Sequence, residues 1–139
     1  MSDNTRRRLR FDGVESETTP DGHCRVTVRL EWYDRMYESE VEGLQTHHGL
    51  LRAAASASLT SALQAAGPRL HAELAGVKAV RAFDGWVVVM RLTGESGSEP
   101  LTLLGASSCE AEEDLPHATV KAVLDATNRV LEGPLQSRS

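Results

Sequence analysis

The sequence lacks a long apolar run, a surplus of basic residues and more than two cysteines. No apolar stretch approaches the roughly 20 residues that a membrane-crossing helix needs. The opening segment MSDNTRRRLR carries charge with no apolar stretch after it, which is unlike a secretory signal. We therefore expect a cytoplasmic protein with no membrane partner. Cys24 and Cys109 allow one disulfide at most, and in the cytoplasm we expect both as free thiols.

The charge balance argues against a nucleic-acid-binding protein. Fifteen basic and 20 acidic residues give a net charge of -5, whereas nucleic-acid binding usually leaves a basic footprint. The exception is an arginine cluster near the amino terminus, and we interpret residues 1–8 as a disordered, solvated tail. A second disordered tail is predicted for residues 133–139. Residues 9–132 have the size of one compact domain.

Polar and apolar residues alternate in two neighbouring segments, 25–30 and 37–43, which predicts half-buried β-strands. The second segment places Glu38, Glu40 and Glu42 on one face. We interpret this acidic run as the solvated side of a sheet and not as a site.

A hairpin turn at Asp34-Arg35 would set the register between these two strands. Arg29 would then lie opposite Glu40, and Val28 would lie opposite Val41.

Two later segments have a helical period. The first runs from about Leu51 to the stop signal Gly67-Pro68, and its small residues would let the helix sit close against a sheet. The second begins near Asp114, which is a good N-cap, and Gly133-Pro134 is predicted to end it.

The two halves of the chain resemble each other at a nearly constant offset along the sequence. The matched features are Gly13-Val14 with Gly76-Val77, Asp21-Gly22 with Asp84-Gly85, residues 26–30 with 88–92, and Gly43 with Gly105. In the second half this predicts strands over 76–83, 86–92 and 101–108, with an Asp84-Gly85 turn and a flexible loop over 93–99. The chain is therefore predicted to be an α+β protein made of two β-β-β-α units, residues 9–67 and 75–132. We expect the units to be related by a pseudo-twofold axis, with antiparallel sheets on one side and two covering helices on the other.

Several residues of the second half carry a resemblance to a known family: Gly105, the segment Asp114-Leu115-Pro116-His117-Ala118-Thr119, Ala122 and Asn128-Arg129. In these residues and in its duplication, the chain resembles the C-terminal regulatory domain of α-isopropylmalate synthase, the leucine-feedback and dimerisation domain, over residues 9–132. The resemblance implies a pair of β-β-β-α units, a small-ligand pocket and self-association. The catalytic barrel of the synthase is absent, so no acyl-transfer chemistry is implied. Residues 46–53 also depart from the family's Gly-x-Gly-Pro-Val-Asp-Ala.

The preferred hypothesis is a non-catalytic small-molecule-binding or regulatory module. Its ligand would lie where the two strand-to-helix connections, residues 46–49 and 105–114, converge. Helix N-termini there offer N–H groups suited to a small carboxylate. The candidate ligand-binding residues are Thr46, His47, His48, Gly49, Gly105, Ser107 and Asp114. We predict no catalytic residue, cofactor or metal ion.

Two alternatives stay open. The first is a protein-interaction or scaffolding subunit accessory to an enzyme, with a flat apolar sheet face that includes Trp86, Val88 and Met90. The second is a small enzyme that uses His47, His48 or His117. Against a metal site, adjacent histidines in an extended segment point to opposite sides.

Overall fold

The structure, a computed structural model that describes residues 8–96 and 98–137, contains two three-stranded antiparallel sheets and two long helices. The elements in chain order are β1 (Arg10–Thr18), β2 (His23–Trp32), β3 (Arg35–Leu44), α1 (His47–Ala66), β4 (His71–Ala82), β5 (Gly85–Ser96), β6 (Glu99–Cys109) and α2 (Leu115–Ser137). Sheet A has the order β1-β2-β3 and sheet B the order β4-β5-β6. Except for Arg8, the predicted amino-terminal tail lies outside the described residues.

The predicted duplication is confirmed, because each sheet is followed by its own helix in the order β-β-β-α. The two sheets also share an irregularity. The pairing of β1 with β2 shifts between Phe11 and Gly13, and the pairing of β4 with β5 shifts between Leu74 and Gly76. Gly13 and Gly76 are matched glycines of the duplication, so the repeat extends to the irregularities of the sheets.

The first hairpin turn lies one residue earlier than predicted, at Tyr33-Asp34. Both residues have positive φ, 54° and 66°, as type I′ turns require. Arg29 therefore pairs with Glu38, and the expected pairing with Glu40 is wrong.

Val28 likewise pairs with Ser39, and Val41 pairs with Val26. Because the register differs from the expected one by an even number of positions, every side chain keeps its predicted face.

The second sheet corrects two further predictions. Its first turn is Phe83-Asp84, one residue before the predicted Asp84-Gly85 turn, with φ of 59° at Phe83. Most of the loop predicted over 93–99 is strand, because pairing between β5 and β6 continues to Ser96 and Glu99. Gly94 and Ser96 of this segment pair with Leu101 and Glu99 in the antiparallel ladder.

Helix α2 differs from expectation at both ends. A 3₁₀ turn, Glu112–Asp114, precedes it, so Asp114 lies within a turn and is not the N-cap. The helical backbone continues through Gly133 and Pro134 to Ser137. Since proline has no N–H, the turn that contains Pro134 has one helical hydrogen bond fewer.

The helix pair lies between the two sheets. Helix α1 contacts β2 and β3 of sheet A and β4 of sheet B, while α2 contacts β5, β6 and β1, and the helices contact each other. After their first turns, each helix is exposed along one stripe only: Arg52, Thr60 and Gln64 in α1, and His117, Lys121, Asp125 and Arg129 in the described part of α2. Each helix is therefore covered on three sides, on one by the other helix and on two by the sheets. The sheets lie on both sides of the helix pair, and the expectation that both sheets lie on one side is wrong. As far as they are described, neither helix has the length and apolar character needed to cross a bilayer.

Small side chains allow α1 to fit into this position. Ala53, Ala54 and Ala57 belong to the core cluster that includes Val26 and Val28 of sheet A. On its other side, Leu51, Ala55 and Leu59 belong to the cluster that includes Val88 and Met90 of sheet B.

Each sheet approaches its own helix at a glycine. A Cβ on Gly43 of β3 would lie 3.0 Å from the carbonyl oxygen of Gly49, at the start of α1. A Cβ on Gly105 of β6 would collide with the carbonyl oxygen of Ala122 in α2. Gly43 and Gly105 are equivalent positions of the duplication, so the same close approach occurs in both units.

We predict that Gly105→Ala destabilises the protein by about 1–3 kcal/mol, because the added methyl group overpacks the contact between β6 and α2. Gly76→Ala is the matched control, since a Cβ there meets nothing within 4 Å. We expect that change to alter the free energy of unfolding by less than about 0.5 kcal/mol. Urea unfolding followed by circular dichroism measures both. Equal effects for the two variants would contradict the close packing.

A buried amide joins the two units directly. Asn128 of α2 accepts a hydrogen bond from the N–H of Leu9 at 2.8 Å and donates one to the Leu9 carbonyl at 3.2 Å. Asn128 and Leu9 are 4% and 2% exposed. The amide therefore satisfies both backbone groups of a buried residue that immediately precedes β1.

Asn128→Ala should lower the free energy of unfolding by about 2–4 kcal/mol, because two buried backbone groups lose their partners. Thr60→Ala serves as the control, since its exposed hydroxyl only donates to the Ser56 carbonyl one turn earlier in α1. Thermal and urea unfolding measure both variants. If the free energy of unfolding of Asn128→Ala equalled that of the control, the amide would contribute no stability to the contact between the units.

Candidate functional site

The first predicted connection forms a capped helix start. Thr46 has an extended backbone, and its hydroxyl oxygen accepts a hydrogen bond from the N–H of Gly49 at 2.9 Å. The Thr46 carbonyl accepts a second bond, from the N–H of Leu50. A Cβ on Gly49 would collide with the carbonyl oxygen of Leu44. Thr46 and Gly49 therefore shape the turn itself.

A groove of about 320 Å³ lies beside this helix start, between β3 and the first turns of α1. We call it the α1 groove. It is lined by Val41, Glu42, Gly43, Leu44, Thr46, His48, Gly49, Arg52, Ala53 and Ser56. Three of the seven predicted site residues, Thr46, His48 and Gly49, are thus brought together.

Arg52 lies in the α1 groove beside apolar surface, whereas Glu42 contributes to the groove's edge from β3 and carries its side chain on the outer face of sheet A. Glu42 and Arg52 are both exposed, and neither belongs to an ion pair among the described side chains. Val41, Leu44 and Ala53 contribute the apolar part. The positive end of the α1 dipole lies at the same end of the helix. The sequence analysis assigned Glu42 to a solvated sheet face and did not single out Arg52.

The two predicted connections meet at His47, which is a predicted site residue, and Glu112, which is not. Nε2 of His47 lies 3.8 Å from a carboxylate oxygen of Glu112. The His47 ring centroid is 5.7 Å from that of Trp86, and the Arg81 guanidinium lies 5.1 Å from the Trp86 ring. His47 and His48 therefore have different surroundings.

The remaining predicted site residues do not line the α1 groove. Gly105 is buried beneath α2, where it serves packing. Ser107 is half-buried on β6 opposite Val88. Asp114 is exposed in the 3₁₀ turn, where its N–H donates to the Ala111 carbonyl.

The two cysteines are free thiols. Cys24 is buried, and Cys109 is half-buried at the end of β6. Burial raises the pKa of the Cys109 thiol, and the negative charge of Asp114 raises it further. Both effects disfavour the thiolate, which is the nucleophilic form.

The three histidines of the enzyme hypothesis contact different parts of the protein. The His117 ring packs edge-on against Phe11 of sheet A, with centroids 5.1 Å apart, while His47 lies near Trp86 and His48 lines the α1 groove. Within the described ranges, no three His, Cys, Asp or Glu residues are grouped in a way that could hold a metal ion.

The outward faces of the two sheets differ in chemistry. Val88 and Met90 are buried against the helices, and Trp86 lies on the same face, so they do not form the expected outer patch. The outer face of sheet B instead exposes Val80, Val89 and Leu104 at 41%, 37% and 57%. On sheet A the positions that the duplication makes equivalent hold Glu17, Thr27 and Glu42.

A larger opening of about 820 Å³ lies at the other end of α1, and we call it the Gly94 cleft. It is lined by Leu63, Gln64, Gly67, Pro68, Leu70, His71, Ala72, Glu73, Thr93, Gly94 and Glu95. The sequence analysis placed Gly94 in a flexible loop and missed this cleft. The signal was available in the duplication, since Gly94 occupies the position that Trp32 holds in the first unit.

The chain matches no protein-family model, and a comparison with curated proteins gives no match.

Proposed function

We propose that this protein is a non-catalytic, cytoplasmic small-molecule-binding module of the regulatory type, with the α1 groove as its ligand site. The observation that carries the proposal is the combination of Arg52, the start of α1 and apolar surface in one groove of about 320 Å³. Pockets of this size hold small organic ligands. A partner enzyme would sense the bound state through contacts with the module.

The groove chemistry favours a small carboxylate with an apolar group. The Arg52 guanidinium and the positive end of the α1 dipole suit a carboxylate. Val41 and Ala53 offer apolar contact. An apolar amino acid has both features, which agrees with the resemblance to an amino-acid-sensing domain.

Two observations favour a binding role over catalysis. The candidate histidines make unrelated contacts, so no nucleophile-base pair is formed among them. The Cys109 thiol has a raised pKa, which opposes activation.

We predict that leucine binds the protein more tightly than leucinamide, which lacks the carboxylate. Arg52→Ala should weaken leucine binding by about threefold or more, because it removes the charged contact with the carboxylate. Isothermal titration calorimetry measures these affinities.

Lys121→Ala is the charge-matched control for Arg52→Ala, since it removes one positive charge from the exposed stripe of the other helix. It should leave leucine binding unchanged. The proposal fails if no apolar amino acid gives heat, or if Lys121→Ala weakens leucine binding as much as Arg52→Ala does.

A second function, self-association through the outer face of sheet B, is favoured by the difference between the sheets. A twofold-symmetric contact places one face against its own copy. On sheet A this would bury a network of charges, in which Arg25 and Arg29 pair with Glu15, Glu17, Glu38 and Glu40. The outer face of sheet B has apolar residues at its centre, flanked by Lys78 and Arg91, so a second copy of the chain can pack its apolar residues there.

We predict that Val89→Glu raises the dimer dissociation constant at least about tenfold, because a carboxylate at the centre of the interface loses its hydration on burial, and its neighbour Lys78 offsets that cost only in part. Thr27→Glu places the same charge at the corresponding position of sheet A and should leave dimerisation unchanged. Sedimentation equilibrium measures both constants. A monomeric wild-type protein at every accessible concentration would rule out this function.

A further inference from the structure

The two sheets have four edge strands, β1 and β3 in sheet A and β4 and β6 in sheet B. An edge strand directs half of its backbone N–H and C=O groups away from the sheet, where another chain can pair with them. β1 and β4 are each interrupted by a shift in their pairing, and such irregularities protect an edge. β3 and β6 pair without a shift, so these two edges are suited to an additional strand.

Helix α2 covers the edge of β6 with two side chains. The Asp125 carboxylate accepts a hydrogen bond from the N–H of Ala106, and the Arg129 guanidinium donates one to the Leu104 carbonyl. The two side chains also pair with each other at 3.0 Å. A partner strand would therefore have to displace this ion pair before it reached the backbone of β6.

Helix α1 leaves the edge of β3 uncovered. Ala53 of α1 lies against the glycine of β3 as Ala126 of α2 lies against the glycine of β6, which aligns the two helices. The positions equivalent to the covering ion pair then hold Arg52 and Ser56. Across α1 and β3, which the structure describes in full, no side chain of the helix hydrogen-bonds to the backbone of the strand.

The ladder determines which residues of β3 face this edge. The N–H of Gln45 bonds to the Gly22 carbonyl, in register with the pairing of β2 and β3. Because bonded and non-bonded pairs alternate in an antiparallel ladder, the odd-numbered residues of β3 bond to β2. Glu38, Glu40 and Glu42 therefore direct their backbone groups away from the sheet, while their side chains lie on its outer face.

Charge alternates across the outer face of sheet A. Arg25 of β2 pairs with Glu17 of β1 at 3.0 Å and with Glu40 of β3 at 2.8 Å. Arg29 of β2 bridges the same two strands through other carboxylates. Glu42 belongs to no ion pair among the described side chains. The order across the strands is acidic, basic, acidic, and a basic strand would continue it.

A buried hydroxyl on the other face of β3 is also without a partner. Ser39 is 9% exposed, and its Oγ makes no hydrogen bond among the described residues. It lies on the helix-facing side of β3, one position along that side from Val41, which lines the α1 groove. Because side chains directly opposite each other on neighbouring strands are in contact, a threonine or serine of an added strand could bond to this hydroxyl.

We propose that the β3 edge, the outward backbone groups of residues 38–42, binds an extended segment of a partner protein with lysine or arginine at alternate positions. The segment adds to sheet A as a fourth strand, and its basic side chains lie beside the three glutamates. A second copy of β3 is disfavoured, because glutamates would lie opposite glutamates. This docking goes beyond the proposed function and does not depend on leucine binding.

Three capped peptides test the β3 edge: Arg-Val-Arg-Thr-Arg, its acidic counterpart Glu-Val-Glu-Thr-Glu, and the rearranged Arg-Arg-Arg-Val-Thr. We expect the first to bind at least about tenfold more tightly than the second and about threefold more tightly than the third, because only the first has alternating positive charge. Isothermal titration calorimetry measures the affinities. In ¹H–¹⁵N spectra the amide shifts of Glu38, Glu40 and Glu42 should change on titration.

The Glu40→Gln, Glu42→Gln double variant should weaken the alternating basic peptide by about threefold to tenfold, because two charged contacts are lost. Glu15→Gln, Glu17→Gln is the matched control on β1. Three strand spacings, roughly 14 Å, separate β1 from the added strand, and this exceeds the screening length of about 8 Å at physiological salt. The control should therefore bind the peptide as wild type does.

Glu40→Pro removes an outward N–H from the β3 edge and should abolish peptide binding, whereas Glu40→Gln should retain most of it. Thr102→Pro makes the same change at the equivalent position of β6 and should leave binding unchanged. Circular dichroism checks that each variant is folded, and the double glutamine variant serves as the test if Glu40→Pro is not.

Equal affinity for the three peptides, shift changes confined to other residues, or full binding by folded Glu40→Pro would overturn the proposal. Loss of a wild-type dimer on Glu40→Pro, measured by sedimentation equilibrium, would assign the edge to a second copy and would overturn it as well. Leucine binding should be unchanged in the Glu40→Gln, Glu42→Gln variant, so failure of the β3 edge is distinguishable from failure of the α1 groove.

Discussion

The fold depends on one packing constraint: each helix must be covered by both sheets and by the other helix. Burial on three sides leaves α1 a single exposed stripe, so nearly all its other positions must be apolar or small. Alanine meets this requirement because it occupies little volume and costs little side-chain entropy on burial. Two buried serines fit as well, since Ser58 donates to the Ala54 carbonyl and Ser61 to the Val28 carbonyl. The glycines of β3 and β6 complete the fit by letting the helix backbones approach.

The β-β-β-α repeat could be predicted from the sequence, because alternating strands, a helical period and the constant offset between the halves all indicate the same units. The register of the first hairpin could not be predicted. The Tyr33-Asp34 turn has positive φ at both residues but lacks the glycine or asparagine that usually signals such a turn. The placement of the sheets on both sides of the helices was also missed, because alanines contribute little to a hydrophobic stripe and α1 therefore resembles a helix with one buried face.

Part of the candidate site was predictable from the sequence. Capping chemistry located the start of α1, and three of the predicted residues do line the groove there. Arg52 was missed because an exposed arginine in the second turn of a helix carries no local signal. Gly94 was assigned to a loop on composition alone. The duplication is more informative here than any motif, because equivalent positions that differ mark where one unit has departed from the other.

The way the units cover each other determines how the molecule comes apart. Helix α1 covers β4, and α2 covers β1, so each unit supplies part of the other's shelter from water. A half-chain would keep the packing of its helix on its own sheet but would expose the apolar surface that the other unit covers. We therefore expect the two units to lose their structure together. A molecule that binds at either end of α1 therefore stabilises the whole fold and not only the unit that it contacts.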